Sequence, residues 1–200
     1  MFLKFIFDRV FSFLGLILLS PFFLVLFVIH KIKMPDGPFF YRQVRIGRDA
    51  KPFRIFKIRT MRKNSEEGGP VSVYDDERIL PFGKWLRETK IDTLFELINI
   101  LIGDMSIVGP RPERPEIAEE YYKELPQFVY RLKVKAGLTG YAQIYGKYNT
   151  TSYDKLKLDM LYVENCSILL DIKIILLTLK VIFQKESTEG LEEGKTIATK

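Results

Sequence analysis

The sequence predicts a mostly helical α/β protein, in which an apolar N-terminal membrane helix precedes one compact domain with a short β-hairpin. Three observations support this class. Residues 10–29 carry no charge, and two β-rich strings between residues 39 and 61 flank a turn. Much of the remaining chain repeats apolar residues at helical spacing. Its 200 residues are enough for about one domain with an appendage.

The composition narrows the possible chemistry. Hydrophobic residues make up 47% and charged residues 28% of the chain, which is typical of a folded protein. The net charge of +6 suits nucleic acid, anionic lipid or phosphorylated substrates, but it is equally common in soluble proteins. The single cysteine (Cys166) excludes an internal disulfide and a cysteine-based zinc site, and the single histidine (His30) argues against a histidine-based nucleophilic centre. Acid–base or covalent chemistry is therefore expected mainly from carboxylates.

The apolar segment Val10–Ile29 would span about 30 Å as a straight helix, enough to cross a bilayer core. Ser20 and Pro21 interrupt it in the middle, where proline removes a backbone donor and kinks a helix. Basic residues flank both ends, which favours a cytoplasmic location for both. The residues leave three alternatives: a re-entrant helix bent at Ser20-Pro21, an ordinary single span, or a buried soluble helix. The flanking basic residues are Lys4, Arg9, His30, Lys31 and Lys33.

Segments 39–46 (FFYRQVRI) and 52–61 (PFRIFKIRTM) predict two short strands joined by the turn GRDAK. Residues 39–63 contain nine Lys or Arg and a single acid, Asp49. Lys57 and Arg59 share strand parity, so they are expected on one face. The stretch predicts either a surface for phosphate or lipid headgroups or a solvated basic hairpin.

A polar loop is expected at 64–77, followed by a helix from about Pro81 into the region of Arg87. The next helix begins near residue 91 and carries apolar residues in the i, i+3, i+4 rhythm. Another face of it presents a polar stripe formed by Asp92, Glu96 and Asn99. Asp92 is therefore expected at the mouth of this helix, where a carboxylate is kept ionised.

Arg111 lies between Pro110 and Pro112 in the string GDMSIVGPRPERPE. The two prolines restrict the backbone on both sides, so the guanidinium is held at low entropic cost. The segment predicts either phosphate binding by a planar fork or a structural proline-rich turn.

The C-terminal part predicts an amphipathic helix at 115–132, loop and short strand at 135–148, and a helix at about 153–165. Residues 167–183 are strongly apolar, but three charges disfavour a full span. An interfacial helix or a buried core helix are the two alternatives there. The domain organisation predicted is a membrane helix (1–33), one domain with interfacial helices (34–184) and a polar tail (185–200).

Several of these strings together resemble a known family, the monotopic phosphoglycosyl transferases or bacterial sugar transferases. The resemblance extends from about residue 4 to 190 and is to the small, single-domain form of the family. It is carried, in chain order, by the Ser-Pro pair in the apolar segment, FFYRQVRIG, PFRIFKIRTM, GDMSIVGPRPERPE, GLTGYAQIYGKY and YDKLKLDMLYVEN.

The resemblance implies transfer of a sugar-1-phosphate from a UDP-sugar to a polyprenyl (undecaprenyl) phosphate, with release of UMP and initiation of glycan assembly. It implies a helix that is re-entrant at Ser20-Pro21, Mg²⁺ as the metal, and the cytoplasmic face of the bacterial inner membrane as the location. The lipid membrane is then a partner, nucleic acid is not, and an oligomer is possible.

By the same resemblance, Asp92 is the nucleophile that forms a covalent phosphosugar intermediate, and it is also a Mg²⁺ ligand. Thr93 departs from the family pattern because it stands where the family has a Glu. Phe95 and Glu96 occupy the positions of a Pro and a Gln. Glu96 lies one turn from Asp92 and either takes over part of the missing role or is merely a polar replacement. The departure also keeps open an inactive membrane scaffold of the same fold.

The remaining site residues follow from the family motifs. Lys57, Arg59 and Arg111 are expected to contact the diphosphate, where preorganised cations stabilise developing charge. Gln143 and Lys147 are expected in the substrate pocket. Asp159 matches a family position, where a structural and a substrate-binding role are both open.

Overall fold

The computed structural model describes residues 2–63, 65, 76–146 and 150–182. Helix α1 (Phe2–Lys33) is followed by an antiparallel hairpin of β1 (Phe40–Ile46) and β2 (Pro52–Ile58). Helices α2 (Pro81–Glu88) and α3 (Glu96–Ile102) lead to strand β3 (Met105–Val108). After α4 (Pro115–Glu124), strand β4 (Ala136–Thr139) pairs with β3 in parallel. Helices α5 (Tyr141–Tyr145), α6 (Ser152–Asn165) and α7 (Ile168–Ile182) complete the fold.

Helix α1 has its polarity reversed relative to a soluble helix. The side that packs on the domain contains the buried polar residues Asp8, Ser12 and His30, whereas the exposed side is almost entirely apolar. Leu18, for example, is 81% exposed. Among the residues that the structure describes, α1 is the one helix long and apolar enough to cross a membrane, with a mean hydropathy of 2.7. This pattern suits an environment of lipid on the outer side.

Ser20 compensates for the backbone donor that Pro21 lacks. In a regular helix the amide of residue 21 would donate to the carbonyl of Ile17, and proline has no N–H to offer. The Ser20 hydroxyl instead donates to that carbonyl at 2.8 Å. The Ser-Pro pair therefore leaves α1 a single helix, and the predicted bend at this pair stays a prediction.

The domain contacts α1 along most of its length. Near the N-terminus, Lys4 donates to the buried Asp171 of α7, and the amide of Ile107 donates to Asp8. Near the C-terminus, the His30 ring donates to the carbonyl of Arg59 at 3.0 Å. Both ends of the helix are therefore fixed to the same body.

Four hydrophobic clusters form the core of the part of the chain that the structure describes. The first joins α1 to the hairpin, α2 and the start of α3 through Leu26, Phe39, Ile58, Leu86 and Phe95. The second lies between β2, α3 and the β3–β4 pair, and the third joins β3 to α6 and α7. The fourth packs α4 against α6. The hairpin and α3 therefore share two clusters, which fixes their relative position.

Most of the predicted elements are found, with three corrections. The stretch predicted as loop and short strand contains the short helix α5 after β4. The helix expected from residue 91 is divided into a 3-10 turn, Ile91–Thr93, and α3, which begins at Glu96. The helix expected at 115–132 ends at Glu124, because Leu125 precedes Pro126 and takes an extended φ of −140°. A 3-10 segment, Pro126–Lys133, follows. The polar loop lies largely, and the tail entirely, outside the described residues.

Helix α7 has one buried and one exposed side. Asp171 and Ile174 are fully buried, whereas Leu169, Leu176 and Leu179 are more than half exposed. Asp171 accepts hydrogen bonds from Lys4 and from the Tyr162 hydroxyl, so this charge is neutralised inside the fold. The exposed leucines form an apolar outer side, and the predicted position of this helix on the membrane surface stays a prediction.

The parallel pair β3–β4 depends on two glycines at a close backbone approach. A Cβ on Gly137 would lie 2.1 Å from the amide nitrogen of Gly109, and one on Gly109 would lie 2.3 Å from the carbonyl oxygen of Lys135. These neighbours are backbone atoms and cannot move aside as a flexible side chain could.

We expect Gly137→Ala to destabilise the protein by at least about 1–3 kcal/mol, because the strands would have to separate. Thermal unfolding of the detergent-solubilised chain measures this. Gly15→Ala is the matched control, since its Cβ would meet only Leu97 Cδ1 at an ordinary 3.4 Å. An unfolding midpoint for Gly137→Ala equal to that of the control would contradict the close-approach argument.

Candidate active site

Asp92 and Glu96 meet at one lysine. Asp92 lies in the 3-10 turn before α3, and Glu96 is the first residue of α3. Lys57 reaches them from β2, with its Nζ 3.9 Å from Asp92 Oδ2 and 3.5 Å from Glu96 Oε1. The expectation that the two carboxylates share a face is therefore confirmed. Asp92 keeps 12% of its side chain exposed and Glu96 only 6%, so Asp92 is the more accessible carboxylate.

Burial raises the pKa of the Glu96 carboxyl. Lys57 and Arg111 oppose this effect, and the neighbouring Asp92 adds to it. Glu96 therefore holds a proton more readily than an exposed glutamate does. Of the two carboxylates, Asp92 is the better candidate for a nucleophile because it is less buried.

The hydroxyl group of Thr93 is not directed toward Asp92 and Glu96. Its Oγ1 donates to the carbonyl of Lys90 at 2.7 Å, within the turn itself. Lys90 has a left-handed backbone with φ of 58°, so the hydroxyl stabilises a tight connection between α2 and the turn. Phe95, two residues further on, packs on Phe23 of α1 with ring centroids 4.2 Å apart.

Asn99 fixes α3 to the hairpin. Its Nδ2 donates to the carbonyl of Arg54 at 2.8 Å, and its Oδ1 accepts from the amide of Phe56 at 2.8 Å. The side chain is fully buried and occupies the edge of β2 that β1 does not pair. The predicted polar stripe of Asp92, Glu96 and Asn99 is thus the side of this segment that faces β2.

Arg59 is not brought to this site. Its guanidinium donates to the carbonyls of Met34, Pro38 and Met61, and only 6% of the residue is exposed. Strand parity predicts that it shares a face with Lys57, but Arg59 lies beyond the end of β2 at Ile58 and its guanidinium is directed to these carbonyls instead. Arg59 connects the segment after α1 to the hairpin.

The backbone that carries Arg111 is held by four donors. The carbonyls of residues 110, 111, 112 and 113 accept, respectively, from Gly137 N, Arg131 Nη2, Arg45 Nη1 and Ile46 N, at 2.8–3.2 Å. The donors come from β4, from the 3-10 segment and from β1. Arg111 is close enough to Glu96 to lower its pKa. The segment between the prolines is therefore rigid, as predicted, and its arginine lies within electrostatic range of Glu96.

Asp159 belongs to a buried ionic network. Arg131 Nε donates to Asp159 Oδ2 at 2.7 Å, and its Nη1 lies 3.5 Å from Glu113 Oε1. Lys155 also pairs with Glu113. Despite burial, these cations hold the pKa of Glu113 at about 2. Of the two roles left open for Asp159, the geometry supports the structural one.

The sequence reasoning gave no role to Arg45, Glu113, Arg131 or Lys155. Burial of a charged side chain has no signature in a single sequence, and Arg131 and Lys155 stand in ordinary amphipathic segments. Glu113 had the clearest signal, since it directly follows Pro112, the second of the two prolines that flank Arg111. Its carboxylate is engaged by Lys155 and Arg131, so its contribution is to hold that segment in place.

Of the two remaining predicted pocket residues, the structure describes Gln143 but not Lys147, and the pocket role of both stays a prediction. Gln143 is in α5, where its Nε2 donates to the carbonyl of Leu138 at 3.4 Å. Its Oε1 is buried and, among the described residues, accepts no hydrogen bond. Lys147 lies outside the described residues, so its expected place in the pocket stays a prediction.

The carboxylates suit a divalent cation whose coordination sphere is completed by substrate oxygens. No group of three or more carboxylate, imidazole or thiolate side chains in the described part of the chain could hold a metal alone. Asp92 and Glu96 nevertheless lie within 4 Å of one cationic group, Lys57 Nζ, and Mg²⁺ is often bound by one or two carboxylates together with substrate phosphates. The pair therefore fits Mg²⁺ in that mode.

The sequence matches the family described as "Bacterial sugar transferase" over residues 1–185. The chain belongs to this family. A curated relative from Aeromonas hydrophila, UDP-N-acetylgalactosamine-undecaprenyl-phosphate N-acetylgalactosaminephosphotransferase, is 37% identical over 169 residues. That alignment covers 82% of this bacterial sugar transferase and 40% of the relative.

Two further relatives show the range of the family. The UDP-glucose:undecaprenyl-phosphate glucose-1-phosphate transferase of Klebsiella pneumoniae is 40% identical over 177 residues, covering 86% of this chain and 38% of the relative. An uncharacterized sugar transferase of Bacillus subtilis, EpsL, is 38% identical over 168 residues, covering 83% and 81%. This bacterial sugar transferase thus spans about two-fifths of the length of the Aeromonas and Klebsiella proteins.

We expect Asn99→Ala to lower the free energy of unfolding by about 1–3 kcal/mol for each backbone group that it leaves unpaired on β2. The distance between Lys57 and the two carboxylates should also become less defined. Chemical unfolding measures the first effect. Asn165→Ala is the matched control, because Asn165 is exposed and bonds only within its own helix. Equal losses in the two variants would show that Asn99 does not anchor α3.

Proposed function

We propose that this chain transfers a sugar-1-phosphate from a UDP-sugar to undecaprenyl phosphate through a covalent intermediate on Asp92. The observation that carries the proposal is the convergence of Asp92 and Glu96 on Lys57, beside the rigid segment of Arg111. Family membership and relatives named as undecaprenyl-phosphate sugar phosphotransferases support it. Those names include N-acetylgalactosamine and glucose, so the sugar is left open.

The first step is attack of an Asp92 carboxylate oxygen on the sugar-bearing phosphorus of the UDP-sugar. The new O–P bond replaces the bond to the bridging oxygen, and UMP leaves with that oxygen. Carboxylate nucleophiles divide a difficult transfer into two easier displacements in this way. Lys57 and Arg111 are placed to stabilise the charge that develops on the phosphoryl oxygens.

The second step is attack of an oxygen of the polyprenyl phosphate on the same phosphorus. The Asp92 carboxylate leaves, and the product is a polyprenyl-diphosphate sugar. A phosphate monoester has a second pKa near 6, so this acceptor is largely deprotonated at neutral pH. A general base is therefore not required, which is how the chemistry tolerates Thr93 in place of a glutamate.

Mg²⁺ would be held by Asp92, with Glu96 and the diphosphate oxygens, and would neutralise phosphoryl charge when bound. Glu96 lies closer to Lys57 than Asp92 does. We assign Glu96 the positioning of Lys57 and of the cation relative to Asp92. The alternative of an inactive scaffold gains no support, because this arrangement retains a carboxylate pair and a paired lysine.

We expect Asp92→Asn to lower UMP release by at least about a thousandfold, because the nucleophile is lost. Purified protein is incubated with Mg²⁺, undecaprenyl phosphate and a panel of UDP-sugars. Without the acceptor, intact-mass analysis should show a phosphosugar adduct on the wild-type chain and none on Asp92→Asn. An adduct of unchanged abundance on Asp92→Asn would disprove the assignment.

Glu96→Gln tests the supporting role. A positioning or metal-orienting residue of this kind is expected to contribute about 10–100-fold, without loss of the Asp92 adduct. Transfer at the wild-type rate in Glu96→Gln would eliminate the idea that Glu96 replaces the missing glutamate. Glu119→Gln, on the exposed side of α4, serves as the control for loss of a glutamate charge.

We further propose that α1 enters the membrane from the cytoplasmic face and returns to it. A straight helix of 32 residues would be about 48 Å long. A perpendicular span would carry one of its ends far from a domain on one side of the bilayer. Both ends of α1 instead contact the domain, through Lys4 and His30, which supports the re-entrant arrangement.

Cysteine labelling in a Cys166→Ala background tests this topology. Phe2→Cys and Lys33→Cys should both react with a membrane-impermeant maleimide from the cytoplasmic side only, like the reference Glu119→Cys. If the two ends react from opposite sides, α1 is an ordinary span and the re-entrant proposal fails.

A further inference from the structure

The hairpin contributes a second cation to the inner face on which Lys57 lies. Lys57 pairs with Tyr41 across the hairpin, so residues 41, 43 and 45 share its face. Arg45 is therefore directed to the same side as Lys57, toward the segment of Arg111. It is partly buried, unlike Arg54 on the opposite, outer face, which is exposed.

Arg45 uses only part of its hydrogen-bonding capacity. Its Nη1 donates to the Pro112 carbonyl at 3.2 Å and its Nη2 to Gln43 Oε1 at 2.9 Å. A guanidinium has five N–H donors, so three are left over. The buried Nε has no partner among the described residues, and none of their carboxylates forms an ion pair with Arg45. Its positive charge is therefore not compensated by a direct ion pair.

The surroundings of Arg45 add to this excess of positive charge. Burial and the nearby Arg111 lower the pKa of Arg45 to about 10. Glu113 and Glu96 act in the opposite direction, but Glu113 is already engaged by Lys155 and Arg131. Gathering like charges at a partly buried position is unfavourable unless an anion binds there.

We propose that Arg45, from strand β1, binds phosphoryl oxygens of the nucleotide diphosphate together with Arg111, from the proline-flanked segment. The inference deepens the proposed function and rests on it. The hydrogen bond from Arg45 to the Pro112 carbonyl holds the Arg45 guanidinium against the residue that directly follows Arg111. Planar forks in this arrangement suit neighbouring phosphates, which present several acceptor oxygens.

A purely structural role for Arg45 would consist of holding the Pro112 carbonyl. The two roles can be separated because glutamine can still donate to a carbonyl but has no charge. Lysine keeps the charge but loses the planar fork. Arg54→Gln removes the same charge from the outer face of the same hairpin and is the matched control.

The experiment measures the affinity of the full-length, detergent-solubilised chain for UDP by titration calorimetry, with Mg²⁺ present throughout. We expect Arg45→Gln to weaken UDP binding about tenfold or more, Arg45→Lys to lie between it and the wild type, and Arg54→Gln to bind as the wild type does. Thermal unfolding without ligand confirms that each variant is folded.

Wild-type UDP affinity in Arg45→Gln would overturn the proposal, and so would an equal loss in Arg54→Gln. If Arg45→Gln does not fold, Arg45→Lys decides: weakened binding supports the planar fork, and unchanged binding overturns it. Failure of the proposed function is distinguishable, because the wild type would then release no UMP with any UDP-sugar. In that case the titration is repeated with inorganic pyrophosphate in place of UDP. Weaker pyrophosphate binding by Arg45→Gln would support phosphoryl binding by Arg45, and unchanged binding would overturn it.

Discussion

The arrangement of the site depends on the buried amide of Asn99. Two hydrogen bonds to the free edge of β2 fix both the distance and the rotation of α3 relative to the hairpin. Because the amide bonds to residues 54 and 56, the next residue, Lys57, is placed over the start of α3. Asp92 and Glu96 then meet one ammonium group. A buried amide with both ends satisfied permits essentially one register.

Once α3 is fixed, charge explains the rest of the site. Two carboxylates with low exposure would repel each other and lose hydration. Lys57 stabilises both, and Arg111 contributes from a segment whose four carbonyls are tied to other elements. The buried ionic network next to that segment has no net charge. Its two cations, Arg131 and Lys155, pair with its two carboxylates, Glu113 and Asp159. The charges of Glu113 and Asp159 are thus balanced without Lys57, which pairs with Asp92 and Glu96.

Patterns of local origin could be read from the sequence, and long-range hydrogen bonds could not. The hairpin, α2, α6 and the polar stripe follow from periodicity and turn residues, and the structure contains each of them. Strand parity gave the correct face for Lys57 but not the partners of Arg59, which are carbonyls of the segment after α1. Asp159 illustrates the same limit, since its role depends on Arg131, 28 residues away.

The position of Phe95 connects helix α1 to the turn that carries Asp92. The resemblance to the family expects a proline here, and a proline would offer α1 a smaller surface. Phe95 instead packs on Phe23 of α1 and on Phe39 and Phe40 of the hairpin. The turn that carries Asp92 therefore shares one aromatic cluster with the helix whose outer side is apolar. In the proposed function the acceptor is lipid-linked and would approach from that side, so the packing that holds α1 in place would also hold Asp92 at the depth of the acceptor phosphate.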